Sequence, residues 1–297
     1  MRLVRFDQGR IGVLADAQHI VDVTALIGEQ PDAWPPVGSL RLIADFQTLR
    51  PRLERAVKDG ARLPVGDVHL LAPVAWPNKV IAYPVNYHDH GREMQAAYRA
   101  DVQGFFLKPP SSLSGADDPI ELPMLPGREI HHEAELAIVI GKGGRSIRRE
   151  AWKSHVFGYA CLLDMVVRGR EERVFRKAYD TFCPLGPWLT TVDEVPDPEQ
   201  LDVKLWVNDE LKQHANTRDL VLDIPGMIET ASAVMTLYPG DVIATGTSAG
   251  VGPVRAGDTV RIAIADVGEM SVGVIQGERG WTRVFEQAYV PDIIKQR

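Results

Sequence analysis

The stretch HHEAELAIVIG, from His131 to Gly141, places two carboxylates at the head of a strand-like run of core-type residues. On a strand, residues i and i+2 share a face, so Glu133 and Glu135 project side by side, about 6.5 to 7 Å apart at the backbone. Glu is nearly always exposed, so an isolated pair of this kind is typical of a solvated strand end. His131 and His132 carry no pattern of their own, and we expect them on the surface. This stretch alone does not show whether the two carboxylates bind a ligand, so the evidence has to come from other segments of the chain.

The same strand-like character recurs along the chain. Six further runs carry it: KVIAYPV, GFFLKP, YACLLDMVV, VKLWVN, DVIATG and TVRIAIADV. The 26 glycines and 21 prolines punctuate the chain, which predicts a mainly β, α+β protein with a few helices. One helix is expected over residues 147–156 with Ser146 as its cap, and another from Pro225, at a first-turn position, to Met235.

The amino-terminal segment predicts a small β-rich unit. Residues 3–23 alternate short apolar segments with the turn-like DQGR and DAQ, which is typical of hairpins. Residues 42–58 have near-helical apolar spacing, and Pro51 predicts a break or a second start within them. The prolines of LLAPVAWPNK mark the expected boundary between a small β-rich domain, residues 1–72, and a larger catalytic domain, residues 73–297.

The overall composition argues against several classes of partner. The chain has 297 residues, 45% hydrophobic and 25% charged, which is the balance of a globular protein with a substantial core. Its formal charge is −7 without a basic block, so nucleic acid and anionic membranes are not expected partners. No run approaches the ~20 apolar residues of a membrane span, and no signal-type segment follows Met1. Cys161 and Cys183 lack CxxC spacing, which predicts free thiols in a reducing compartment, the cytoplasm.

A third carboxylate, Asp164, lies inside the apolar run YACLLDMVV. Its charge would be costly in a buried strand unless it were paired, hydrogen-bonded or bound to a metal. A structural ion pair with Arg168 or Arg170 is one interpretation. In the other, Asp164 joins Glu133 and Glu135, because three carboxylates suit a hard cation such as Mg²⁺ or Mn²⁺ and leave positions for water or substrate.

The segment NYHDHGREM, residues 86–94, follows the apolar KVIAYPV. If a helix begins near Asp89, His90 and Glu93 lie at i and i+3 on one face, where the carboxylate can orient the imidazole. Such a pair can activate a water molecule. Two alternatives stay open: a polar helix start on the surface, and metal ligation by His88, His90 and Glu93 in the cupin manner, although the usual cupin spacing to the glutamate is longer.

The glycine-rich GTSAGVG, residues 246–252, follows the strand-like DVIATG. Its backbone N–H groups can hold an anion, and a tight turn is the alternative. It is not a P-loop, because no Lys-Ser/Thr follows the glycines. Lys177, in FRKAYDTFCPLGPW, is by itself typical of a surface lysine.

Taken in order, six segments of the chain resemble the fumarylacetoacetate hydrolase family. They are NYHDHGREM, FFLKPPSSL, EAELAIVIG, LLDMVVRGR, RKAYDTFCPLGPWL and YPGDVIATGTSAGVG. The resemblance covers about residues 73–275. It implies a mixed β-roll core that forms homodimers, preceded by the small β-rich domain that many members carry.

The resemblance also implies roles for single residues. The ligands of a Mg²⁺ or Mn²⁺ ion would be Glu133, Glu135 and Asp164. His90 with Glu93 would be the water-activating pair, carried on a mobile lid.

Three further residues match substrate-binding positions of the family. Lys177 would hold the substrate's oxygens, Arg168 matches the arginine of the segment that contains the aspartate ligand, and Thr247 would contact the substrate's acid end. The chain departs from the family pattern where Leu163, Val166 and Gly169 replace polar residues. We expect Leu163 and Val166 to make one pocket wall apolar.

These roles imply a metal-dependent hydrolase that cleaves a C–C bond in acylpyruvate-type 1,3-diketo acids, such as fumarylpyruvate, of the kind that arises in aromatic-compound catabolism. The metal would polarise the 2-oxo acid end, His90 would deliver hydroxide to the distal carbonyl, and Lys177 would add positive charge beside the departing enolate. The alternative is an isomerase, hydratase or decarboxylase that acts on 2-oxo (ene-)dioic acids through the same enolate. A non-catalytic metal-binding protein is a third possibility, which the presence of a water-activating pair argues against.

Overall fold

A computed structural model describes residues 1–28, 33–95 and 99–285 of the chain. The strands of this part are β1 (Arg2–Phe6), β2 (Arg10–Leu14), β3 (His19–Asp22), β4 (Arg62–Pro64), β5 (Leu70–Leu71), β6 (Val80–Ala82), β7 (Phe106–Lys108), β8 (Leu113–Ser114), β9 (Ile120–Leu122), β10 (Ile130–His132), β11 (Ala134–Ile140), β12 (Val156–Leu163), β13 (Val166–Val167), β14 (Cys183–Thr191), β15 (Asp202–Val207), β16 (Glu210–Asn216), β17 (Val242–Ala244), β18 (Gly252–Val254), β19 (Thr259–Ile264) and β20 (Gly268–Gln276). The α-helices are α1 (Thr24–Ile27), α2 (Gly38–Ala44), α3 (Phe46–Asp59), α4 (His88–Glu93), α5 (Ala100–Gln103), α6 (Arg173–Arg176) and α7 (Ile224–Val234). All seven runs that the sequence marks as strand-like contain strands.

The main sheet has twelve strands in the order β4-β3-β2-β1-β14-β12-β11-β17-β6-β7, with β5 paired to β1 and β8 paired to β14. Its central strand β11 is buried along its whole length. Successive side chains of β11 enter two different apolar clusters, since Leu136 and Ile138 belong to one and Ala137 and Val139 to the other. A strand covered on both faces needs apolar residues at every position, which explains the unbroken run in the sequence.

Two smaller sheets complete the β-structure. A five-stranded sheet has the order β16-β15-β19-β20-β9, and a three-stranded sheet has the order β13-β10-β18. Leu205 of β15 and Ile262 of β19 belong to the same apolar cluster as Leu136 of β11, so this cluster lies between the main sheet and the five-stranded sheet. The mixed sheets with flanking helices confirm the predicted α+β fold class.

The amino-terminal strands continue the main sheet. The hairpins expected over residues 3–23 form as β1, β2 and β3. β1 also pairs antiparallel with β14, with Leu3 opposite Leu189. The division into domains 1–72 and 73–297 therefore stays a proposal, in which the smaller domain shares a sheet with the larger one.

The helix predicted over residues 42–58 is divided, but not at Pro51. The break lies at Asp45, between α2 and α3, and Pro51 lies inside α3. Proline leaves the carbonyl of residue i−4 without its helical donor. That residue is Gln47, which is exposed, so water can satisfy its carbonyl and the helix continues.

The other two helix predictions have different outcomes. α7 contains Pro225 in its first turn as expected, and the side chain of Asp223 caps it by accepting from the N–H of Gly226. The α-helix expected after Ser146 is wrong, because the chain forms a 3₁₀ helix over Arg149–His155. Ser146 has φ +50 and makes no cap. Its N–H donates instead to the carbonyl of Ser232, which fixes this loop to α7.

Cys161 of β12 and Cys183 of β14 are both buried free thiols, as predicted. Within the described ranges, none of the helices has the length and apolar character needed to span a bilayer.

Candidate metal centre and active site

Three carboxylates meet where β10, β11 and β12 come together. Glu133 lies between β10 and β11, Glu135 is the second residue of β11, and Asp164 directly follows β12. The pairing of Ala134 with Leu163 brings the strand ends together, and the N–H of Asp164 donates to the carbonyl of Glu133 over 2.9 Å. All three side chains are buried, and each offers an oxygen within 4.8 Å of the others. The interpretation of Glu133 and Glu135 as part of a solvated strand end is therefore wrong.

Two buried lysines, and not Arg168 or Arg170, are the ion-pair partners of Asp164 in the described chain. Lys108 Nζ lies 2.6 Å from Asp164 Oδ1, and Lys177 Nζ lies 2.5 Å from Asp164 Oδ2. Lys177 Nζ also contacts Glu133 Oε2 at 2.7 Å. Lys177 is therefore a central cation of the cluster, although its type alone suggested a surface position.

Lys108 was missed at the sequence level. Its side chain is fully buried, and Nζ also donates to the carbonyls of Lys177 at 2.8 Å and Phe182 at 3.3 Å. The available signal was a lysine inside the strand-like run GFFLKP, where a charge needs a partner just as Asp164 does.

The pKa values of these groups reflect competition between burial and charge. Burial alone would raise the pKa of the Asp164 carboxyl, but Lys108 and Lys177 outweigh it and hold that pKa below its usual value. Burial most of all, and repulsion from Asp164 next, raise the pKa of Glu135 well above its usual value. Lys177 acts in the opposite direction. Burial would lower the pKa of Lys177, yet the surrounding carboxylates raise it.

The acidic cluster fits a hard divalent cation. Carboxylate oxygens are the ligands that Mg²⁺ and Mn²⁺ prefer, and the three side chains converge from two neighbouring strands. Glu135 has no lysine in direct contact among the described residues and keeps one hydrogen bond, from the N–H of Gly246 to Oε2 over 2.7 Å. A bound cation would offset the repulsion that raises the pKa of this carboxyl.

A cavity of about 370 Å³ opens over the three carboxylates. Its lining includes His90, Lys177, Arg168 and Thr247, so all but one of the residues given a role by the sequence meet around one space. The remaining residue, Glu93, does not line the cavity but contacts the His90 ring. The volume is within the range of small-molecule sites.

The pair of His90 and Glu93 forms as the i, i+3 spacing predicts. His90 Nδ1 lies 3.1 Å from Glu93 Oε2, on helix α4 that begins at His88. His90 is buried, whereas His88 is exposed and does not line the cavity, which argues against the cupin arrangement. The second carboxylate oxygen, Glu93 Oε1, accepts from the N–H of Gly250 over 2.9 Å. One carboxylate therefore orients the imidazole and fastens α4 to the glycine-rich loop.

The glycine-rich loop holds anions that belong to the protein itself. Its N–H groups at Gly246 and Gly250 donate to Glu135 and Glu93, one a candidate metal ligand and the other the partner of His90. Both glycines have φ +94, and a Cβ at Gly250 would overlap the carbonyl oxygen of Lys212. Glycine is therefore required at this turn.

Thr247 is held in a buried network that the sequence did not reveal. Its hydroxyl donates to the carbonyl of Ala134 over 2.9 Å and accepts from Gln213 Nε2 over 2.8 Å. The other end of the amide, Gln213 Oε1, accepts from the N–H of Ala134 and lies 3.1 Å from His132 Nδ1. His132 is completely buried, so its expected surface position is wrong. Burial lowers the pKa of His132 to about 4, so it is neutral near pH 7.

The cavity lining also contains an arginine and a few apolar residues. Arg168 lines the cavity and places Nη2 3.7 Å from Glu133 Oε1. Val166 also lines the cavity, as expected, and so does Gly169, for which no position was predicted. Leu163, in contrast, is a fully buried residue of the main apolar cluster, so the prediction that it forms the pocket wall is wrong.

The described geometry agrees with comparisons to known proteins. Residues 79–275 match the family described as "Fumarylacetoacetate (FAA) hydrolase C-terminal". This match spans the carboxylate cluster, both lysines, the helix α4 and the glycine-rich loop. The chain belongs to the fumarylacetoacetate hydrolase family.

Individual relatives are similar over nearly the whole chain. The maleylpyruvate hydrolase of Aquipseudomonas alcaligenes is 42% identical over 286 residues, which cover 92% of this chain and 99% of that protein. The crystal structure of maleylpyruvate hydrolase from Sphingobium sp. SYK-6 in complex with manganese(II) and pyruvate is 64% identical, with a TM-score of 0.87, and the match covers 94% of this chain and 100% of that one. The mitochondrial oxaloacetate tautomerase fahd2 of Xenopus laevis is 36% identical over 294 residues, covering 93% and 90%.

Proposed function

We propose that this protein is a metal-dependent hydrolase that cleaves the C–C bond of an acylpyruvate, with maleylpyruvate as the favoured substrate and Mn²⁺ or Mg²⁺ as the cofactor. One observation carries the proposal: the buried carboxylates with Lys177 between them share a single cavity with His90, whose ring is hydrogen-bonded to Glu93. A cation site and a water-activating base are the two parts that hydrolytic cleavage next to a 2-oxo acid requires.

The relatives support this choice of substrate. Two proteins that match nearly the whole chain are maleylpyruvate hydrolases, and one of them contains manganese and pyruvate. Pyruvate is the fragment that cleavage of an acylpyruvate releases at the 2-oxo acid end. The activity would place the protein in aromatic-compound catabolism.

The charge balance of the cluster suits an anionic substrate. Three carboxylates are opposed by Lys108 and Lys177, and a divalent cation would add two positive charges. When bound, the cation would act as a Lewis acid towards the 2-oxo acid end of the substrate. Lys177, which already reaches two of the carboxylates, would donate to an oxygen of the same end.

The protein's own residues account for the proton transfers. Glu93 occupies the Nδ1 side of the His90 ring, so Nε2 is the nitrogen that would take the proton from water. The water oxygen would form a bond to the distal carbonyl carbon. The C–C bond would then break, and its electron pair would move into the pyruvate enol oxygen beside Lys177. The methylene carbon of this enolate would then take up the proton that His90 removed from water, which gives pyruvate and returns His90 to its starting state.

The second candidate is an isomerase or tautomerase that acts on a 2-oxo dioic acid. The similarity to the oxaloacetate tautomerase favours it, because that reaction also moves charge onto the enol oxygen of a 2-oxo acid. Isomerisation requires no attack by water, so the paired His90 and Glu93 favour hydrolysis.

The test is release of pyruvate from maleylpyruvate, followed in a coupled assay with Mn²⁺ or Mg²⁺. We expect turnover by the wild type and loss of about 10²–10⁴-fold in kcat for His90→Ala, the usual contribution of a general base. His88→Ala is the matched control, since this exposed histidine of the same helix lies outside the cavity. Turnover of oxaloacetate or an ene-dioate without cleavage of maleylpyruvate would replace the hydrolase with the second candidate.

The predicted homodimer and the cytoplasmic location are also proposals. The dimer is implied by the family, and light scattering of the purified protein tests it directly. The two buried free thiols support a reducing compartment.

A further inference from the structure

Two arginines of helix α6, Arg173 and Arg176, line the cavity beside Arg168 and Lys177. The proposed chemistry does not use these two arginines, which form the basic wall of the cavity. The lining as a whole carries four basic side chains and three acidic ones, and all three acids belong to the metal cluster. A bound divalent cation would leave this space strongly positive, which requires a ligand with more than one negative charge.

Arg176 is fixed in place by neutral groups. Its Nε donates to the carbonyl of Glu171 over 2.8 Å, and Nη1 donates to the carbonyl of Val167 over 3.1 Å. Two backbone acceptors hold the guanidinium plane without cancelling its charge. Burial lowers the pKa of Arg176, and the charge of Arg168 lowers it further. An anion between these arginines would relieve the repulsion.

The carboxylate of Glu171 is paired with Arg128. Its Oε1 lies 2.5 Å from Arg128 Nη2. The residue whose carbonyl holds Arg176 therefore has its own carboxylate already paired with another arginine. The Arg176 guanidinium thus donates to backbone carbonyls and not to the Glu171 carboxylate.

Arg173 lies against an aromatic ring that Lys177 also approaches. Its Cζ lies 5.4 Å from the centroid of Phe106, and Lys177 Nζ lies 5.8 Å from the same centroid. Phe106 itself lines the cavity. Arg173 is therefore linked through one cavity-lining ring to the lysine that pairs with the carboxylates.

We propose that Arg173 and Arg176 form a subsite for the second carboxylate of the substrate, so that the enzyme selects acylpyruvates whose acyl group itself ends in a carboxylate. This inference rests on the proposed function, since it assumes that the 2-oxo acid end lies at the metal cluster. Guanidinium groups bind carboxylates through charge-assisted hydrogen bonds, which are the strong ones.

The test compares a dicarboxylic acylpyruvate with a monocarboxylic one. We would measure kcat/KM for maleylpyruvate and for acetylpyruvate with the wild type, Arg173→Gln and Arg176→Gln. The expected result is a fall of about 10- to 100-fold for maleylpyruvate, mainly in KM, which is typical of losing one charge-assisted hydrogen bond. The acetylpyruvate value should change by less than about threefold, because that substrate has no second carboxylate.

The matched control is Arg170→Gln, which removes the same charge from an exposed position outside the cavity lining. Arg173→Lys should recover part of the loss, because a charge remains at the site. Equal falls for both substrates, or no fall for maleylpyruvate, would overturn the subsite. If Arg176→Gln fails to fold, Arg173→Gln alone decides the question.

A binding measurement separates this inference from the proposed function. If the wild type cleaves neither substrate, the proposed hydrolase is wrong, but calorimetric titration of the Mn²⁺-loaded protein with maleate still tests the subsite. We expect Arg173→Gln to weaken maleate binding by about tenfold or more while Arg170→Gln leaves it unchanged. Maleate held only by the metal would bind equally to both variants, and that result would overturn the inference.

Discussion

Replacing Glu135 by glutamine should have opposite effects on metal binding and on the metal-free protein. The carboxylate is buried and its pKa is raised by burial and by the neighbouring Asp164. Glutamine has the same shape and can still accept from the N–H of Gly246, but it removes one charged ligand from the cluster. Metal affinity should fall, whereas the metal-free protein should lose nothing.

The magnitude follows from binding linkage. At a Mn²⁺ concentration of about 100 times Kd, the wild type gains about 2.7 kcal/mol. For a large domain this corresponds to roughly 5 to 10 °C in Tm, at about 2 to 4 °C per kcal/mol. Mutation of a residue that only hydrogen-bonds to a metal ligand typically lowers metal affinity by about 10- to 100-fold. Mutation of a ligand itself should therefore lower it by at least about 100-fold. At the same Mn²⁺ concentration Glu135→Gln should then gain only about 0.4 kcal/mol, or about 1 to 2 °C.

The sign of the metal-free effect is set by the direction of the pKa shift. A carboxyl whose pKa is raised on folding favours the folded state below the unfolded pKa and loses that contribution as the pH rises through the folded pKa. Glutamine does not titrate, so the chelator-treated variant should melt at or above the wild-type temperature above that pH. Thermal melts with EDTA and with Mn²⁺ provide both values, and Glu129→Gln, an exposed carboxylate in the same stretch, is the control.

Two results would refute this reasoning. A full metal-induced shift in Glu135→Gln would exclude the carboxylate as a ligand. A lower Tm in EDTA would mean that the charge of Glu135 stabilises the metal-free fold, contrary to the raised pKa.

Three further predictions concern the surroundings of the cluster. Glu93→Gln should lower kcat by about 10²–10⁴-fold, because it removes the charge that orients His90, while the Mn²⁺-induced shift in Tm stays near the wild-type value. Lys108→Met should lower the free energy of unfolding of the metal-free protein by about 3–5 kcal/mol in urea titrations, because it leaves Asp164 with only one lysine in a buried site. Binding of Mn²⁺ should release protons and weaken as the pH falls towards the raised carboxyl pKa of the cluster, measured by calorimetry in buffers of different ionisation enthalpy.

Each of these has a matched control or a contradicting outcome. An unchanged kcat in Glu93→Gln would contradict the role of Glu93 in orienting His90. Loss of the Mn²⁺-induced shift in Tm would mean that the substitution damages the structure of the site. Lys58→Met makes the same exchange at an exposed lysine of α3 and should cost little. Metal binding without proton release would contradict the raised pKa.

The main features of fold and site were predictable because they depend on local pattern. The apolar run of β11 must be covered on both faces, and the charge of Asp164 inside another apolar run requires a partner. The spacing of His90 and Glu93 fixes their contact within one helical turn. These are short-range consequences of strand and helix geometry.

The remaining features depend on contacts between distant segments. Lys108 reaches Asp164 across 56 positions, and Gln213 reaches His132 across 81, so neither partner is visible from a local window. The structure therefore corrected the partner of Asp164 and the burial of His132. The basic wall of α6 was missed for the same reason, because nothing in residues 173–176 indicates that they face the cavity.

The most direct test of the central claim is product analysis of maleylpyruvate incubated in ¹⁸O-water with the Mn²⁺-loaded enzyme. Hydrolysis predicts maleate and pyruvate in equal amounts, with ¹⁸O in a maleate carboxylate, and loss of both products after chelation of the metal. An isomerised substrate with its carbon chain intact, or the same rate of cleavage after chelation, would contradict a metal-dependent C–C hydrolase.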